Sequence, residues 1–339
     1  MGQSLAVYPL VYVIAGPLMA VLAGGRPQRA VSRAGLVMFA AGNLVSANAT
    51  SIAGLIAGRV VAAIGASVFT PNAGARAASL GAERRGRAMS IVASGFSLAT
   101  IIGAPLGVYF SSLFGWRSVL VTVAGCAIVV AVPQGFGRLG NARVTAMGMR
   151  QRLRFLGNRK LLAILLLSFA VVAGEFVVYS YIALIVGQKT GAGSDAIALA
   201  IMIFGVGTAA GTLAGGFGVD RFGWRRMLRV SVTVIGLTLT LLPFVQGMAP
   251  LLACLLTWAV FGWTFTPSQT NRLFDVFPDN GALLITLVAS AVQIGIAAGG
   301  FLGGIVVTHW SIDGLAFTGA LLVWASLAFL VLTDRRQAG

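Results

Sequence analysis

The sequence predicts an all-α membrane protein in which two helical bundles are joined by a basic linker. Three observations lead to this prediction. Of the 339 residues, 58% are hydrophobic and only 9% are charged, whereas soluble domains carry about 25% charged residues. The apolar residues come in runs of about 20, the length that spans a bilayer as a helix. Parts of these runs also recur at a fixed distance along the chain.

Eleven apolar runs are long enough to be membrane-spanning helices. They cover residues 5–24, 34–49, 52–80, 88–114, 118–133, 161–186, 196–217, 227–245, 251–276, 281–308 and 315–332. The sequence lacks the alternating strands of about 10 residues that are typical of outer-membrane barrels. Since lipid offers no partner to an unpaired backbone amide, helices are the expected spanning elements.

Basic residues predict the orientation of these helices. The net charge of +16 would suggest nucleic acid in a soluble protein, but here the arginines fill short gaps between apolar runs, and we expect no nucleic-acid partner. Arg117 and Lys189 fall on one side of the membrane and Arg59 lies inside a run, while the other cations lie on the opposite side. The positive-inside rule makes that opposite side, with the C-terminus, cytoplasmic.

A basic, glycine-punctuated segment divides the chain. The predicted organisation is an N-terminal bundle of five spans over residues 1–133, a cytoplasmic linker over 134–160, and a C-terminal bundle of six spans over 161–339. Such a linker is expected to lie on anionic lipid headgroups.

The two bundles share an internal repeat with an offset of 196 residues. Phe69-Thr70-Pro71 recurs as Phe265-Thr266-Pro267, and Arg29, Arg76, Gly103 and Gly107 match Arg225, Arg272, Gly299 and Gly303. The partner of span 161–186 would precede residue 1, so we expect that the first of twelve helices is missing, through a start upstream or a truncation. Two parallel six-helix halves with a midplane site are one plan of membrane transporters.

Four segments resemble motifs of the major facilitator superfamily, within its drug:proton antiporter branch of sugar, nucleoside and drug exporters. They are Gly216 to Arg226, Gly58 to Gly65, Gly95 to Gly107, and Gly174 to Tyr181. The resemblance implies a monomer in a bacterial-type inner (plasma) membrane. It also implies export of a small molecule in exchange for protons by alternating access, with the proton gradient as energy source and no cofactor.

Two ionisable residues lie deep in predicted spans, Glu175 and Arg59. A charge at mid-bilayer costs about 2.5–3.5 kcal/mol on insertion scales, so such residues usually face a wet cavity or a partner. We interpret Glu175 as the proton carrier, or as an anchor for a cationic or hydroxyl-bearing substrate. Arg59, the buried arginine of the resembled motif, would respond to the protonation of a carboxylate. The alternative is that both only join neighbouring helices.

The remaining candidates follow from the resemblance and from residue type. The resemblance implies a gating loop at Asp220, Arg221, Arg225 and Arg226, whereas the first half has Gly24 and Gly25 where the second has Asp220 and Arg221. Helix kinks are predicted at Pro71, Pro105 and Pro267, and Tyr179, Gln269 and Gln293 are candidates for substrate lining. One histidine and two cysteines in apolar runs predict no metal site and no catalytic residue, so we do not expect an enzyme. An uptake symporter, a facilitator and an inactive truncated membrane protein remain alternatives.

Overall fold

The computed structural model describes residues 2–78, 95, 98–135, 155, 157–191, 193–278 and 281–338. Its regular structure within these residues is entirely helical, which confirms the predicted all-α class. The α-helices are α1 (Gly2–Ala23), α2 (Gln28–Ala47), α3 (Ile52–Ala78), α4 (Ala104–Phe114), α5 (Trp116–Ala131), α6 (Arg159–Tyr179), α7 (Ile182–Thr190), α8 (Ser194–Phe222), α9 (Trp224–Leu241), α10 (Met248–Val276), α11 (Gly281–His309) and α12 (Ile312–Ala338). A π-helical turn (Ala99–Gly103) precedes α4, and short 3-10 turns follow α5 and α9.

Eight of the described helices are long and apolar enough to cross a bilayer. These segments are Gln28–Ala47, Ile52–Ala73, Arg159–Tyr179, Ser194–Phe222, Trp224–Phe244, Met248–Val276, Leu287–His309 and Ile312–Thr333. Two shorter apolar stretches are Val7–Gly16, which lies within the 22-residue helix α1, and Trp116–Ala131. The difference from eleven predicted spans arises at 5–24, 88–114 and 118–133. Part of 88–114 and most of the linker 134–160 lie outside the described residues.

The predicted span 161–186 is divided in two. Helix α6 ends at Tyr179 and α7 begins at Ile182, and the amide of Tyr181 donates to the carbonyl of Val178 at 3.0 Å. The Tyr181 hydroxyl donates to the carbonyl of Gly300 on α11 at 3.1 Å. The sequence has no proline or glycine at this break, so composition alone could not reveal it.

The chain divides into two compact units. The N-terminal unit comprises Val7–Ala99 and Gly107–Met149, and the C-terminal unit comprises Arg150–Gly339 with Met1–Ala6 and Thr100–Leu106.

In the N-terminal unit, α2 and α3 approach so closely that glycines are required. A Cβ on Gly58 would lie 2.6 Å from the backbone nitrogen of Ser46. On the other side of α2, Leu36 and Ala40 pack against alanines of α5. Small side chains therefore set the spacing of this unit, as expected where van der Waals packing joins helices in lipid.

In the C-terminal unit, three glycines of α8 face α10 at single-turn spacing, Gly207, Gly211 and Gly215. A Cβ on Gly207 would lie 2.7 Å from the Cβ of Ala259, and one on Gly215 would lie 2.7 Å from Cγ of Pro267. These glycines form a small-residue face on which α10 packs closely. Pro267 lies inside α10, and its ring packs against Gly215 of α8.

The helix boundaries reproduce the internal repeat. Three pairs of helices begin 196 residues apart: α2 and α9 at Gln28 and Trp224, α3 and α10 at Ile52 and Met248, and α5 and α12 at Trp116 and Ile312. The offset found in short motifs therefore also holds for the starts of these helices.

Candidate functional site

Glu175 is a buried carboxylate with one hydrogen-bond donor. Its side chain lies on α6 and is 7% exposed. The indole Nε1 of Trp258, on α10, donates to Oε1 of Glu175 at 2.9 Å. Among the described residues, Glu175 forms no ion pair, and the indole is its only side-chain donor. In its ionised form Glu175 would be stabilised, among the described side chains, by one neutral dipole, which is a costly arrangement for a buried charge.

Glycines on two neighbouring helices make room for this contact. A Cβ on Gly262, one turn beyond Trp258, would lie 2.6 Å from Oε1 of Glu175. Next to Glu175, Gly174 faces α12, where its Cβ would lie 2.8 Å from the carbonyl of Gly319. Gly262 thus leaves the space beside α10 that Oε1 of Glu175 occupies, and Gly174 allows α6 to pack closely against α12.

Trp258 also belongs to a group of contacting aromatic rings that we name the aromatic cluster: Phe176, Tyr179, Phe204, Trp258 and Trp263. Phe204 is central and 1% exposed. Its ring centroid lies 4.9 Å from that of Tyr179, 5.1 Å from Trp258 and 5.8 Å from Trp263. The contacts of Phe204 with Trp258 and Trp263 are edge-to-face, and aromatic rings offer few hydrogen-bonding groups to a neighbouring carboxylate. Binding a proton, or a cationic group of a ligand, would remove the cost of the isolated charge.

The three residues expected to line a substrate site are placed differently. Tyr179 belongs to the aromatic cluster, and its hydroxyl has no hydrogen bond within the described residues. Gln269 is 2% exposed, and its Nε2 donates to the carbonyl of Ile164 at 3.0 Å and to Oγ of Ser168 at 2.9 Å. It therefore ties α10 to α6. Gln293 is half-buried on α11.

Arg59 belongs to the N-terminal unit, and Glu175 to the C-terminal unit. Arg59 is half-buried on α3, and its guanidinium carbon lies 4.8 Å from the ring centroid of Tyr8 on α1. Such a cation–π contact stabilises an arginine without neutralising it. Of the predicted kinks in this half, Pro71 lies inside α3, and Pro105 is the second residue of α4, directly after the π-helical turn.

The predicted gating loop is a tight turn between α8 and α9, made possible by Gly223 at φ +77°. Its four predicted residues are exposed: Asp220, Arg221, Arg225 and Arg226. Arg221 and Arg226 each lie 5.7 Å from the ring of Phe222. Asp220 has no ion-pair partner in the described part of the chain. Arg221 and Arg226 thus contact an aromatic ring, and neither forms an ion pair with Asp220.

Trp224, which the sequence patterns did not single out, joins the same turn to the end of α10. Its Nε1 donates to Oδ2 of Asp275 at 3.1 Å. The guanidinium of Arg272, whose side chain is 1% exposed, lies 5.5 Å from the Trp224 ring, and that of Arg225 lies 5.1 Å from it. In the sequence, the repeat match of Arg272 with Arg76 pointed to the arginine of this contact. It did not point to Trp224.

Comparison with known proteins finds matches over most of the chain. The sequence profile of the Major Facilitator Superfamily matches residues 1–143 and 164–338. The uncharacterized MFS-type transporter YbcL of Bacillus subtilis (strain 168) is 27% identical over 338 residues, covering 99% of this chain and 87% of YbcL. YtbD of the same organism, also an uncharacterized MFS-type transporter, is 25% identical over 99% of this chain and 88% of its own. A chloramphenicol resistance protein of Streptomyces lividans is 34% identical over 218 residues, which is 62% of this chain and 55% of that protein.

A solved structure shares the fold. It is the crystal structure of a bacterial homolog to the human lysosomal transporter Spinster, in an inward-facing and unoccupied conformation. The match has a TM-score of 0.73 at 16% identity, and it covers 98% of this chain and 87% of the other. Sequence profile and fold agree, and the chain belongs to the major facilitator superfamily.

Proposed function

We propose that this protein is a secondary active exporter that moves a small molecule outward in exchange for protons, with Glu175 as the proton carrier. Its family and fold are those of multi-pass membrane transporters and not of enzymes. The observation that carries the proposal is the Glu175 carboxylate, which is buried in a helix long enough to span a membrane and whose one side-chain donor among the described residues is the neutral indole of Trp258.

The chemistry of Glu175 supports exchange. When protonated, the side chain is neutral and suits the apolar aromatic cluster. When ionised, it keeps one charge-assisted hydrogen bond from Trp258 but lacks a compensating cation among the described residues. The ionised form therefore favours either a cationic or hydroxyl-bearing ligand or a state of the protein that admits water. The Glu175 carboxylate would therefore bind either the substrate or a proton, but not both at once.

The proposed export direction is supported by the similarity to the chloramphenicol resistance protein of Streptomyces lividans. In the proposed cycle, substrate enters from the cytoplasm, the halves rock, substrate leaves outside, and proton uptake resets the protein. Arg59 would respond to the charge on the carboxylate, and the turn around Asp220 would hold the inner gate. Chloramphenicol, a drug, is the first compound to test, with a sugar and a nucleoside beside it.

Transport into inverted membrane vesicles tests the proposal. With an acidic interior, the wild-type protein should accumulate at least one of chloramphenicol, arabinose and uridine, and a protonophore should abolish the accumulation. Glu175→Gln should abolish gradient-driven accumulation. Asp195→Asn, which removes an exposed carboxylate at the start of α8, should not.

Other outcomes identify the alternatives. Accumulation that requires an acidic exterior would indicate an uptake symporter, and equilibration that ignores the gradient would indicate a facilitator. Full gradient-driven accumulation by Glu175→Gln would refute the role of Glu175 as the proton carrier.

A further inference from the structure

Two cations that the charge pattern predicts on the outer side lie at helix ends. Arg117 is the second residue of α5, and its Nη2 donates to the carbonyl of Ala49, just beyond the end of α2, at 2.9 Å. Lys189 lies in the last turn of α7, and its Nζ donates to the carbonyl of Pro243 at 2.7 Å. Pro243 belongs to the 3-10 turn that ends α9.

Each cation therefore donates to a carbonyl at or just beyond the C-terminal end of a helix. The last carbonyls of a helix have no intrahelical partner, and the macrodipole makes that end negative. A donor with a positive charge suits such a position. The side chain of Lys189 is 7% exposed, so this bond is largely shielded from solvent.

Lys189 has a second partner on a third helix. Its Nζ lies 3.3 Å from Oδ1 of Asp313, in the first turn of α12. An acid at a helix N-terminus is itself stabilised by the macrodipole. One amine thus joins the C-terminal end of α7, the C-terminal end of α9 and the N-terminal end of α12.

The internal repeat relates the two arrangements. Helices α2 and α9 are repeat partners, and so are α5 and α12. Arg117 and Asp313 occupy the same repeat position, 196 residues apart. Both units therefore tie the same pair of helices at the same end. In the N-terminal unit a cation at the repeat position reaches the carbonyl directly. In the C-terminal unit that position carries an acid, and Lys189 lies between the acid and the carbonyl.

We propose that these contacts are two chemically different versions of one outer clamp, and that Lys189 is the central residue of the clamp in the C-terminal unit. This proposal does not depend on the transported substrate or on Glu175. It assigns Lys189 an additional task, because α7 follows the break at Ser180 and Tyr181. The clamp anchors α7 to α9 and α12 at the end remote from α6, which carries Glu175.

Charge relocation in the full-length chain tests the clamp. Lys189→Met should lower the Tm of the purified protein by about 3–10 °C, since a shielded charge-assisted bond and an ion pair are lost. Adding Asp313→Arg to Lys189→Met places a cation where the N-terminal unit has Arg117, and it should restore at least half of the loss. Arg117→Met should lower Tm as well. Lys160→Met, which removes the chain's only other lysine, at an exposed position, should leave Tm unchanged.

The rescue decides between a clamp and a generic effect of charge. A Lys189→Met protein as stable as Lys160→Met would overturn the proposal. So would a double variant no more stable than Lys189→Met, because the two repeat positions would then not be equivalent. Should Lys189→Met fail to fold, Asp313→Asn and Asp313→Arg in the wild-type background replace it. Both should lower Tm, because Lys189 loses its acid, and an unchanged Tm in both would refute the clamp.

Discussion

Gly262→Ala is expected to break the hydrogen bond of Glu175 without removing either partner. The new Cβ would lie 2.6 Å from Oε1, whereas ordinary contacts begin at 3.4 Å. The carboxylate must therefore retreat by about 0.8 Å, from 2.6 to 3.4 Å. Gly262 and Trp258 both lie on α10, so a retreat towards α6 also leaves the indole. The distance from Nε1 to Oε1 would rise from 2.9 Å to about 3.7 Å, which is beyond hydrogen-bonding range.

The energetic consequence can be bounded. A hydrogen bond to a charged group contributes about 1.5–3 kcal/mol, and 1.4 kcal/mol corresponds to about tenfold in an equilibrium. If the ionised carboxylate is populated during transport, its loss of stability should reduce gradient-driven transport by about 10- to 100-fold. The matched control is Gly216→Ala, because a Cβ on Gly216 meets nothing within 4 Å. That control should be neutral or slightly stabilising, as alanine favours a helix.

Gradient-driven accumulation in inverted vesicles measures the effect, with expression and Tm recorded for each variant. Trp258→Phe removes the same donor by a different route and should give a similar defect. Because both changes delete one bond, the double variant should be no worse than the more impaired single variant. Wild-type transport by Gly262→Ala, or losses that multiply in the double variant, would refute this reasoning.

Three further variants test the surroundings of the site. Gly211→Ala should lower stability by about 1–3 kcal/mol, because a Cβ on Gly211 would collide with the backbone of α10. The measurement is the Tm, which should be lower than that of Gly216→Ala, and an equal Tm would contradict the prediction. Gln269→Leu should lower Tm but leave the substrate KM unchanged, since the amide of Gln269 bonds α6; a raised KM would return this residue to the substrate site. Trp224→Phe keeps a ring at the turn between α8 and α9 but loses the bond to Asp275. If this turn holds the proposed gate, the variant should transport more slowly with an unchanged KM, and an unchanged rate would refute a gating role for that bond.

The fold could be predicted from the sequence because a bilayer imposes one dominant constraint. Backbone groups in lipid must bond internally, so apolar runs indicate helices. The repeat needed no structure either, since Phe69-Thr70-Pro71 and its copy set the offset that the helix boundaries later followed. Glu175 was visible for the same reason, because a carboxylate inside a span is expensive.

Its partner was not visible. Trp258 is 83 residues from Glu175, and their contact depends on how α6 and α10 are rotated about their axes. The same limit applies to Gln269, whose polarity suggested a substrate contact and whose amide bonds α6 in the structure. The break after Tyr179 has no local signal in residue type. Long-range pairs such as Lys189 with Asp313 depend on tertiary structure in the same way.

Proton movement by the purified protein tests the central claim most directly. In proteoliposomes with a pH-sensitive dye inside, a gradient of a transported compound should drive protons in the opposite direction through the wild-type protein and through Asp195→Asn. Glu175→Gln should exchange labelled for unlabelled compound across the membrane without moving protons. Proton movement in proportion to the transported compound in Glu175→Gln would contradict the account.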